Sequence, residues 1–297
     1  MKKILITGAN SYIGTSFEGY INDKYAGEYQ IDTIDMLDQG WREKSFSGYD
    51  AVFHVAGIAH SDSGKISEEM AKRYYSVNTD LTIEVAKKAK GDKVGQLIFM
   101  SSAIVYGGSS KIGKERRIGR ETQPSPENAY GDSKLQAENG ILPLSDESFK
   151  VCVLRPPMIY GRGCKGNYQA LSSFAKKMKF FPYVRNMRSM LYIESLCEFV
   201  RLMIENEESG IFFPQNSEYS NTSDMVKMIG QANGRTVHLV KGFAWALKLI
   251  SPFTSAVNKA FGSLSYEMEM SEYKQNYRVA GLEESIKITE KGKENAC

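Results

Sequence analysis

The sequence predicts an α/β protein, a doubly wound parallel sheet carrying a smaller C-terminal lobe. Three features point to it. Short apolar runs alternate with amphipathic stretches through the first half, a glycine-bearing turn joins the first run to the first helical stretch, and the alternation loosens after Arg155 with no low-complexity linker. The runs Lys3–Thr7, Gln30–Asp35, Ala51–Val55, Gln96–Ser101 and Lys150–Arg155 read as buried parallel strands, most of them short apolar runs as strands covered on both faces are. Between them lie the helical stretches Tyr12–Asn22, Ser67–Lys90 and Asn128–Ile141. Strand, helix, strand in this rhythm gives parallel neighbours joined by right-handed crossovers. Met36–Gly48 reads as irregular.

The second half reads as a helix over Tyr168–Met178, an extended stretch Ser189–Ile193, a helix from Glu194 to Asn206, one more sheet strand at Gly210–Pro214, and helices at Thr222–Ala232 and Leu282–Thr289. These elements divide the chain into a sheet domain, residues 1–158 with 189–215, and a lobe made of residues 159–188 and 216–297.

Composition bounds the function. The 297 residues are 42% hydrophobic and 25% charged, ordinary for a folded protein, and the net charge of +3 supplies no field that demands nucleic acid. The apolar run after Lys3 is too short for a signal peptide, and no stretch approaches the ~18 apolar residues of a membrane span. Cys152, Cys164, Cys197 and Cys297 show no C-x-x-C spacing, and His54, His60 and His238 are scattered. The expectation is a reduced, metal-free protein of the cytoplasm, with Cys152 and Cys197 as packing residues.

Thr7-Gly8-Ala9-Asn10-Ser11-Tyr12-Ile13-Gly14 follows the first strand and opens the first helix. Glycines there permit a tight turn, close backbone approach to a pyrophosphate and close helix–strand packing, and the helix N-terminus favours the anion. Ser11 stands where the middle glycine of such loops falls. Asp35 ends the second strand, placed to accept from both hydroxyls of an adenosine ribose. Met36, Leu37 and Asp38 follow it and offer no cation for a 2′-phosphate, so NAD is expected over NADP.

Tyr130 and Lys134 are four residues apart, on one face of a helix. A phenol of pKa near ~10 is a poor base at neutral pH, and a neighbouring ammonium together with a positive nicotinamide ring stabilises its ionised form. Lowering it by about three units needs roughly 4 kcal/mol of differential stabilisation. Tyr20 and Lys24 share the spacing in the first helix, where no chemistry is expected, so context decides. Ser102 follows the apolar strand upstream, at a carboxyl end where α/β ligands bind, and can hydrogen-bond the oxygen whose proton Tyr130 takes.

The phosphate loop, Asp35, His54-Val55-Ala56-Gly57, Asn78, Ser101-Ser102-Ala103-Ile104-Val105-Tyr106-Gly107, Tyr130 with Lys134, and Leu154-Arg155-Pro156 together resemble the NAD-dependent epimerase/dehydratase family of extended short-chain dehydrogenases/reductases. The resemblance implies a Rossmann-like domain with a C-terminal lobe for a nucleotide-activated sugar, and a homodimer built on Ser67–Lys90 and Asn128–Ile141. It implies that Gly8, Asn10, Ser11, Tyr12, Ile13, Gly14, Asp35, Ala56, Gly57 and Pro156 border the cofactor. Lys134 would hold the nicotinamide ribose, and Asn78, grouped with the cofactor residues, would support the helix bearing Tyr130. Ala103 and Ile104 occupy the places where 4,6-dehydratases carry an Asp-Glu pair and decarboxylating members a single acid, so elimination and decarboxylation are not expected. Two reactions remain open: epimerisation at carbon 4 of a UDP-hexose or UDP-N-acetylhexosamine, placed first, and NAD(P)H-dependent reduction of a UDP-4-keto sugar for surface polysaccharide. Gly166-Asn167 and Asn186–Ile193 resemble the lobe of bacterial 4-ketoreductases, and many 4-epimerases have Arg-Asp at Arg188-Ser189 and a lysine at Ala59. A non-catalytic dinucleotide-binding regulator is the more distant reading, since it needs no Ser102, Tyr130 and Lys134 together.

For a diphosphate, paired guanidinium donors suit best, so Arg188 and Arg185 are the candidates, with Asn167 adding an amide. The basic loop Lys111–Arg120 and the lysines Lys176, Lys177 and Lys179 read as solvated surface. The apolar stretch Gly242–Gly262 has the content of a helix lying on a membrane surface. Lys248 and Pro252 within it favour core or lid packing.

Overall fold

The computed structural model describes residues 1–58, 66–250 and 255–291; Ala59, His60, Pro252, Phe253 and Cys297 lie outside the described residues. In chain order the strands are β1 (Lys2–Thr7), β2 (Tyr29–Ile34), β3 (Ala51–His54), β4 (Gln96–Met100), β5 (Arg117–Ile118) and β6 (Lys150–Leu154). They continue as β7 (Met158–Tyr160), β8 (Phe180–Pro182), β9 (Met190–Tyr192), β10 (Gly210–Phe212), β11 (His238–Val240) and β12 (Ser265–Tyr266). The helices are α1 (Tyr12–Lys24), α2 (Glu68–Tyr74), α3 (Leu81–Gly91), α4 (Ala129–Ile141) and α5 (Asn167–Lys177). After them come α6 (Ile193–Glu205), α7 (Thr222–Ala232), α8 (Ala244–Ile250), α9 (Ser255–Phe261) and α10 (Leu282–Lys291).

The chain forms two compact units. The first comprises Met1–Gly107, Gln123–Pro156 and Leu196–Pro214. Its six strands run parallel in the order β10-β6-β4-β3-β1-β2, a Rossmann-like sheet as the sequence predicts. The continuously apolar strands are the inner ones: every residue of β3 and β4 is buried, whereas β10 at the edge is only partly covered. Parallel strands need helices on both faces, and that requirement is what the continuous runs encode. The chain leaves β1 toward β2 and then returns to the other side of β1 with β3. The carboxyl ends of β1 and β3 therefore flank a topological switch point, where α/β sheets bind ligands.

Two segments differ from the sequence expectation. The helical run Ser67–Lys90 is not continuous; between α2 and α3 the backbone widens into a π turn over Tyr75–Asp80, which carries the buried Asn78. Such turns concentrate at functional sites. Met36–Gly48 is irregular but anchored: Asp38 caps a short 3₁₀ turn at Gln39–Arg42, and Trp41 stacks with Phe46, ring centroids 6.3 Å apart, in the core.

The second unit comprises Gly108–Thr122, Pro157–Ser195 and Gln215–Cys297. Residues 108–122, counted with the sheet domain from the sequence, fall in this unit because β5 pairs with β12 and Ser110 N–H donates to Ser263 O at 2.9 Å. Its other pairs, β7 with β9 and β8 with β11, are also parallel. Helices α5 and α10 pack on α7, and Glu290 binds this layer together. Its carboxylate accepts from Lys176 at 2.8 Å, Asn233 at 2.9 Å and Ser172 at 3.0 Å. Cys152, Cys164 and Cys197 are buried free thiols. The stretch Gly242–Gly262 departs from the expected core packing: Phe261 is buried against Phe181, but Phe243, Trp245 and Leu249 are exposed. Among the described residues, no helix is long and apolar enough to cross a membrane.

Candidate active site

The phosphate loop leaves the carboxyl end of β1 at the switch point, and close packing there fixes its glycines. A Cβ on Gly8 would lie 2.8 Å from Ala56 N, and Gly8 adopts φ +110°, so both space and backbone demand glycine. The N–H groups of Gly8 and Ala9 donate to Ile34 O at 2.9 and 3.2 Å, tying the loop to the end of β2. Ala56 N–H donates to Thr7 O at 2.9 Å, tying it to β3. Asn10 takes the left-handed conformation at φ 61°. Ser11, in the middle-glycine position, caps α1: its Oγ accepts from Gly14 N–H at 3.1 Å. Gly14 is the helix's contact with the sheet, since a Cβ there would lie 2.7 Å from Ser11 Oγ and 3.1 Å from Ile6 Cγ2. Tyr12 and Ile13 form the first turn of α1, so the positive end of the helix opens at the sheet's carboxyl edge.

Asp35 follows β2 and is exposed; one carboxylate oxygen accepts from Leu37 N–H at 2.9 Å. Below the loop, His54 is wholly buried between Thr7 Oγ1, at 2.6 Å from Nδ1, and Thr82 Oγ1, at 3.0 Å from Nε2. Burial, with the charge of Lys134, pushes its pKa down to about 3, so it joins β1, β3 and α3 as a neutral ring.

Ser102, Tyr130 and Lys134 come together in the first unit. Ser102 caps the 3₁₀ turn Ala103–Tyr106 after β4, with its Oγ accepting from Ile104 N–H at 3.3 Å. The Ser102 and Tyr130 hydroxyls hydrogen-bond to each other. Tyr130 and Lys134 rise from the first turns of α4, whose N-cap Asn128 accepts from Gly131 N–H at 2.8 Å. Lys134 is buried; its ammonium donates to Met100 O at 2.9 Å and lies 4.7 Å from the Phe99 ring centroid. Gly57 makes room for it, since a Cβ there would stand 3.2 Å from Nζ and 3.0 Å from Asn78 Oδ1. Pro156 O accepts from Ala103 N–H at 2.9 Å and fixes the turn that presents Ser102.

Asn78 spends its amide on protein partners. Oδ1 accepts from Ile58 N–H at 2.8 Å, and Nδ2 donates to Ile58 O at 3.2 Å and to Ser133 Oγ at 3.1 Å. It thus locks the stretch after Gly57 to α4 and braces both, rather than pointing a free amide at a ligand.

Burial dominates the electrostatics of the set in the chain by itself. Burial pushes the Tyr130 phenol up to about 12, against the pull of the Ser102 hydrogen bond and with Tyr74 adding to the rise. Burial also pushes Lys134 down to about 8, opposed by Glu138. In both residues desolvation is the largest cause of the shift, and the positive nicotinamide ring that the expectation also invoked would act only with the cofactor bound.

The sequence reading missed what stands behind these residues. Glu138, wholly buried, accepts from Arg155 Nε at 3.1 Å and Nη2 at 2.5 Å, and from Ser101 Oγ; Arg155 Nη1 donates to Tyr106 OH at 2.6 Å. The signal was present: Glu138 lies one turn beyond Lys134 on the same helix face, a charge on a buried surface.

The substrate candidates lie in the second unit. Asn167 is the first residue of α5 and exposed, and Arg185 is exposed. Arg188 is half-buried; its Nη1 donates to Lys259 O at 2.5 Å and reaches the carbonyls of Ala260 and Gly262, so it caps the end of α9. Burial pushes its pKa down to about 10, still cationic at neutral pH.

A glycine cradle at a switch point, beside a Ser/Tyr/Lys set, defines a short-chain dehydrogenase/reductase. Residues 4–213 match the NAD dependent epimerase/dehydratase family, and the chain belongs to it. It is 26% identical over 290 residues to a UDP-glucose 4-epimerase of Vibrio cholerae, covering 90% of this chain and 88% of that one. It is 28% identical over 224 residues, 70% of this chain and 64% of the other, to the N-acetyl-alpha-D-glucosaminyl-diphospho-ditrans,octacis-undecaprenol 4-epimerase of Escherichia coli O157:H7. Among solved structures, a dTDP-4-dehydrorhamnose reductase from Clostridium acetobutylicum superposes with TM-score 0.73 at 19% identity, covering 97% of this chain and 98% of the other. A UDP-glucuronic acid 4-epimerase from Bacillus cereus, solved with NAD, superposes with TM-score 0.72 at 15% identity, covering 99% of each. At these identities the two structures speak for the fold.

Proposed function

We propose that the protein is a 4-epimerase of a nucleotide-activated sugar, a UDP-hexose or UDP-N-acetylhexosamine. The observation that carries this reading is the hydrogen-bonded Ser102–Tyr130 pair beside the buried Lys134, followed by Ala103 and Ile104, which transfer no protons. The nearly full-length likeness to the Vibrio cholerae 4-epimerase supports it. The loop fits a dinucleotide, because Gly8, at φ +110° against Ala56, and Gly14, against Ser11 and Ile6, let the chain turn tightly from β1 into the N-terminus of α1, where backbone N–H groups favour a pyrophosphate. Gly8, Asn10, Ser11, Tyr12 and Ile13 would hold its phosphates, Asp35 its adenosine ribose, and Ala56, Gly57 and Pro156 would border its nicotinamide end. NAD, when bound there, supplies the hydride acceptor and a positive ring. Tyr130 takes the proton of the carbon-4 hydroxyl and later returns it, Ser102 hydrogen-bonds the same oxygen, and Lys134 holds positive charge beside both. In the second unit, Arg185, Asn167 and the part of Arg188 not spent on α9 are assigned to the diphosphate.

Asp35, exposed and followed by Met36 and Leu37, supports NAD over NADP. The buried thiols are consistent with the cytoplasm, and the π-interrupted helix pair α2–α3 with α4 is assigned to a homodimer. The second reading is a 4-ketoreductase, favoured by the segment Asn186–Ile193. Release of dinucleotide from denatured protein separates the two: near-stoichiometric NAD supports the epimerase, and an empty site filled only by added NADH or NADPH supports the reductase. Tyr130→Phe is expected to lower turnover on UDP-galactose or UDP-N-acetylgalactosamine by roughly 10²–10⁴-fold. Unchanged turnover would sink the catalytic assignment.

A further inference from the structure

Charge in this chain is segregated. It holds 35 acidic residues, yet there is no Asp or Glu from residue 148 to 193 or from 225 to 266. In the second unit these two stretches meet where β8 pairs with β11, His238 opposite Phe180 and Val240 opposite Pro182, and where α5 packs on α7. The carboxylate that α5 and α7 do enclose, Glu290, is buried and already bonded to Lys176, Ser172 and Asn233. Lys177, Lys179, Arg235 and Lys241 are exposed.

The same two stretches carry six of the nine large apolar side chains exposed among the described residues: Phe174, Met178, Phe180, Phe243, Trp245 and Leu249. Spacing groups them. Phe174 and Met178 are four residues apart at the end of α5, Phe180 follows on β8, and Trp245 and Leu249 are four apart on α8, which begins just after β11. In β8, Phe181 turns inward while Phe180 is 61% exposed. Soluble surfaces rarely gather large apolar groups in this way without a partner. An apolar set with a tryptophan, carried with lysines on two stretches that hold no carboxylate of their own, complements an anionic bilayer, which offers phosphate outside and hydrocarbon beneath.

We propose that this face of the second unit docks on an anionic lipid surface. The six apolar side chains enter the headgroup boundary, and Lys177, Lys179, Arg235 and Lys241 meet lipid phosphates. The inference is independent of the reaction assigned to Tyr130, and its failure would leave that assignment standing.

Trp245 is a built-in reporter. The chain has two tryptophans; Trp41 is buried, and Trp245 is 68% exposed. The full chain is mixed with vesicles of phosphatidylcholine alone, or of phosphatidylcholine with phosphatidylglycerol. The expected result is cosedimentation and a blue shift of tryptophan emission with the anionic vesicles only, both fading as salt rises. Phe243→Ser/Leu249→Ser should weaken partitioning by at least about tenfold with an unchanged melting temperature, because both side chains are exposed. Lys177→Glu/Lys179→Glu should remove the preference for anionic lipid. Equal behaviour with both vesicles, or none with either, overturns the proposal. So does a soluble dimer that Phe243→Ser/Leu249→Ser converts to monomer, which would make this face a contact between copies of the chain.

Discussion

At the scale of single residues, Lys134 shows how the role proposed for it and stability oppose each other. Its ammonium is buried with one carbonyl, an aromatic face and the charge of Glu138 as compensation, and its pKa falls to about 8 from the ordinary 10.5. Below pH 8 the group is charged in both the folded and unfolded chain, so the folded state bears the full cost of burial. As pH rises from about 8 toward 10.5 the proton leaves the folded state first, and the cost fades. Lys134→Met is therefore expected to stabilise the ligand-free protein at pH 7 by up to about 3 kcal/mol while abolishing turnover. Urea unfolding at pH 7 and pH 10 checks this: the gap between variant and wild type should narrow at the higher pH. Tyr130 is the counterpart. The residue type and spacing were legible, but not the size of the desolvation that raises its pKa in the chain by itself, because that depends on how much water the folded chain removes.

At the scale of elements, the ends of β4 and β6 and the middle of α4 are joined by the buried Glu138–Arg155 pair with Ser101 and Tyr106. Three of these residues are next to, or one turn from, a member of the candidate set: Ser101 beside Ser102, Glu138 after Lys134, Arg155 before Pro156. Arg155→Met leaves a carboxylate buried without its cation and should cost about 3–5 kcal/mol in urea unfolding. Glu138→Met/Arg155→Met removes both charges and should recover most of that loss. A double variant as unstable as the single would show that the pair is needed for more than mutual neutralisation. Strands β1 to β4 and β6, and helices α1, α4 and α7, were legible to within a residue or two, because continuous apolar runs and helical spacing are local signals. The π turn at Tyr75–Asp80 was not. Its hydrogen-bond shift carries no compositional mark and is held by what Asn78 and Thr79 find across the chain: Ile58 and Ser133 for Asn78, and Ser133 O for Thr79.

At the scale of the whole molecule, ligand binding and stability are linked, since a ligand that binds only the folded state stabilises it. NAD at a hundred times its Kd should add about 2.7 kcal/mol, visible as a raised melting temperature that NADP does not reproduce. Asp35→Ser/Leu37→Arg should reverse the preference. Leu37 is exposed beside the carboxylate, so an arginine there meets a 2′-phosphate without disturbing the core. If the double variant still melts higher with NAD than with NADP, Asp35 is not the selector. The sequence by itself determined the doubly wound sheet, since alternating apolar runs and helical stretches are local signals, and it nominated the glycine turn after β1 and the set Ser102, Tyr130 and Lys134 from residue type and context. Tertiary structure alone decided that Ser11 caps a helix, that Arg188 is drawn to the end of α9, and that Lys134 turns its charge onto Met100 O. It also decided that Phe243, Trp245 and Leu249 face outward. Burial and long-range pairing set these outcomes, and both are properties of which distant segments meet.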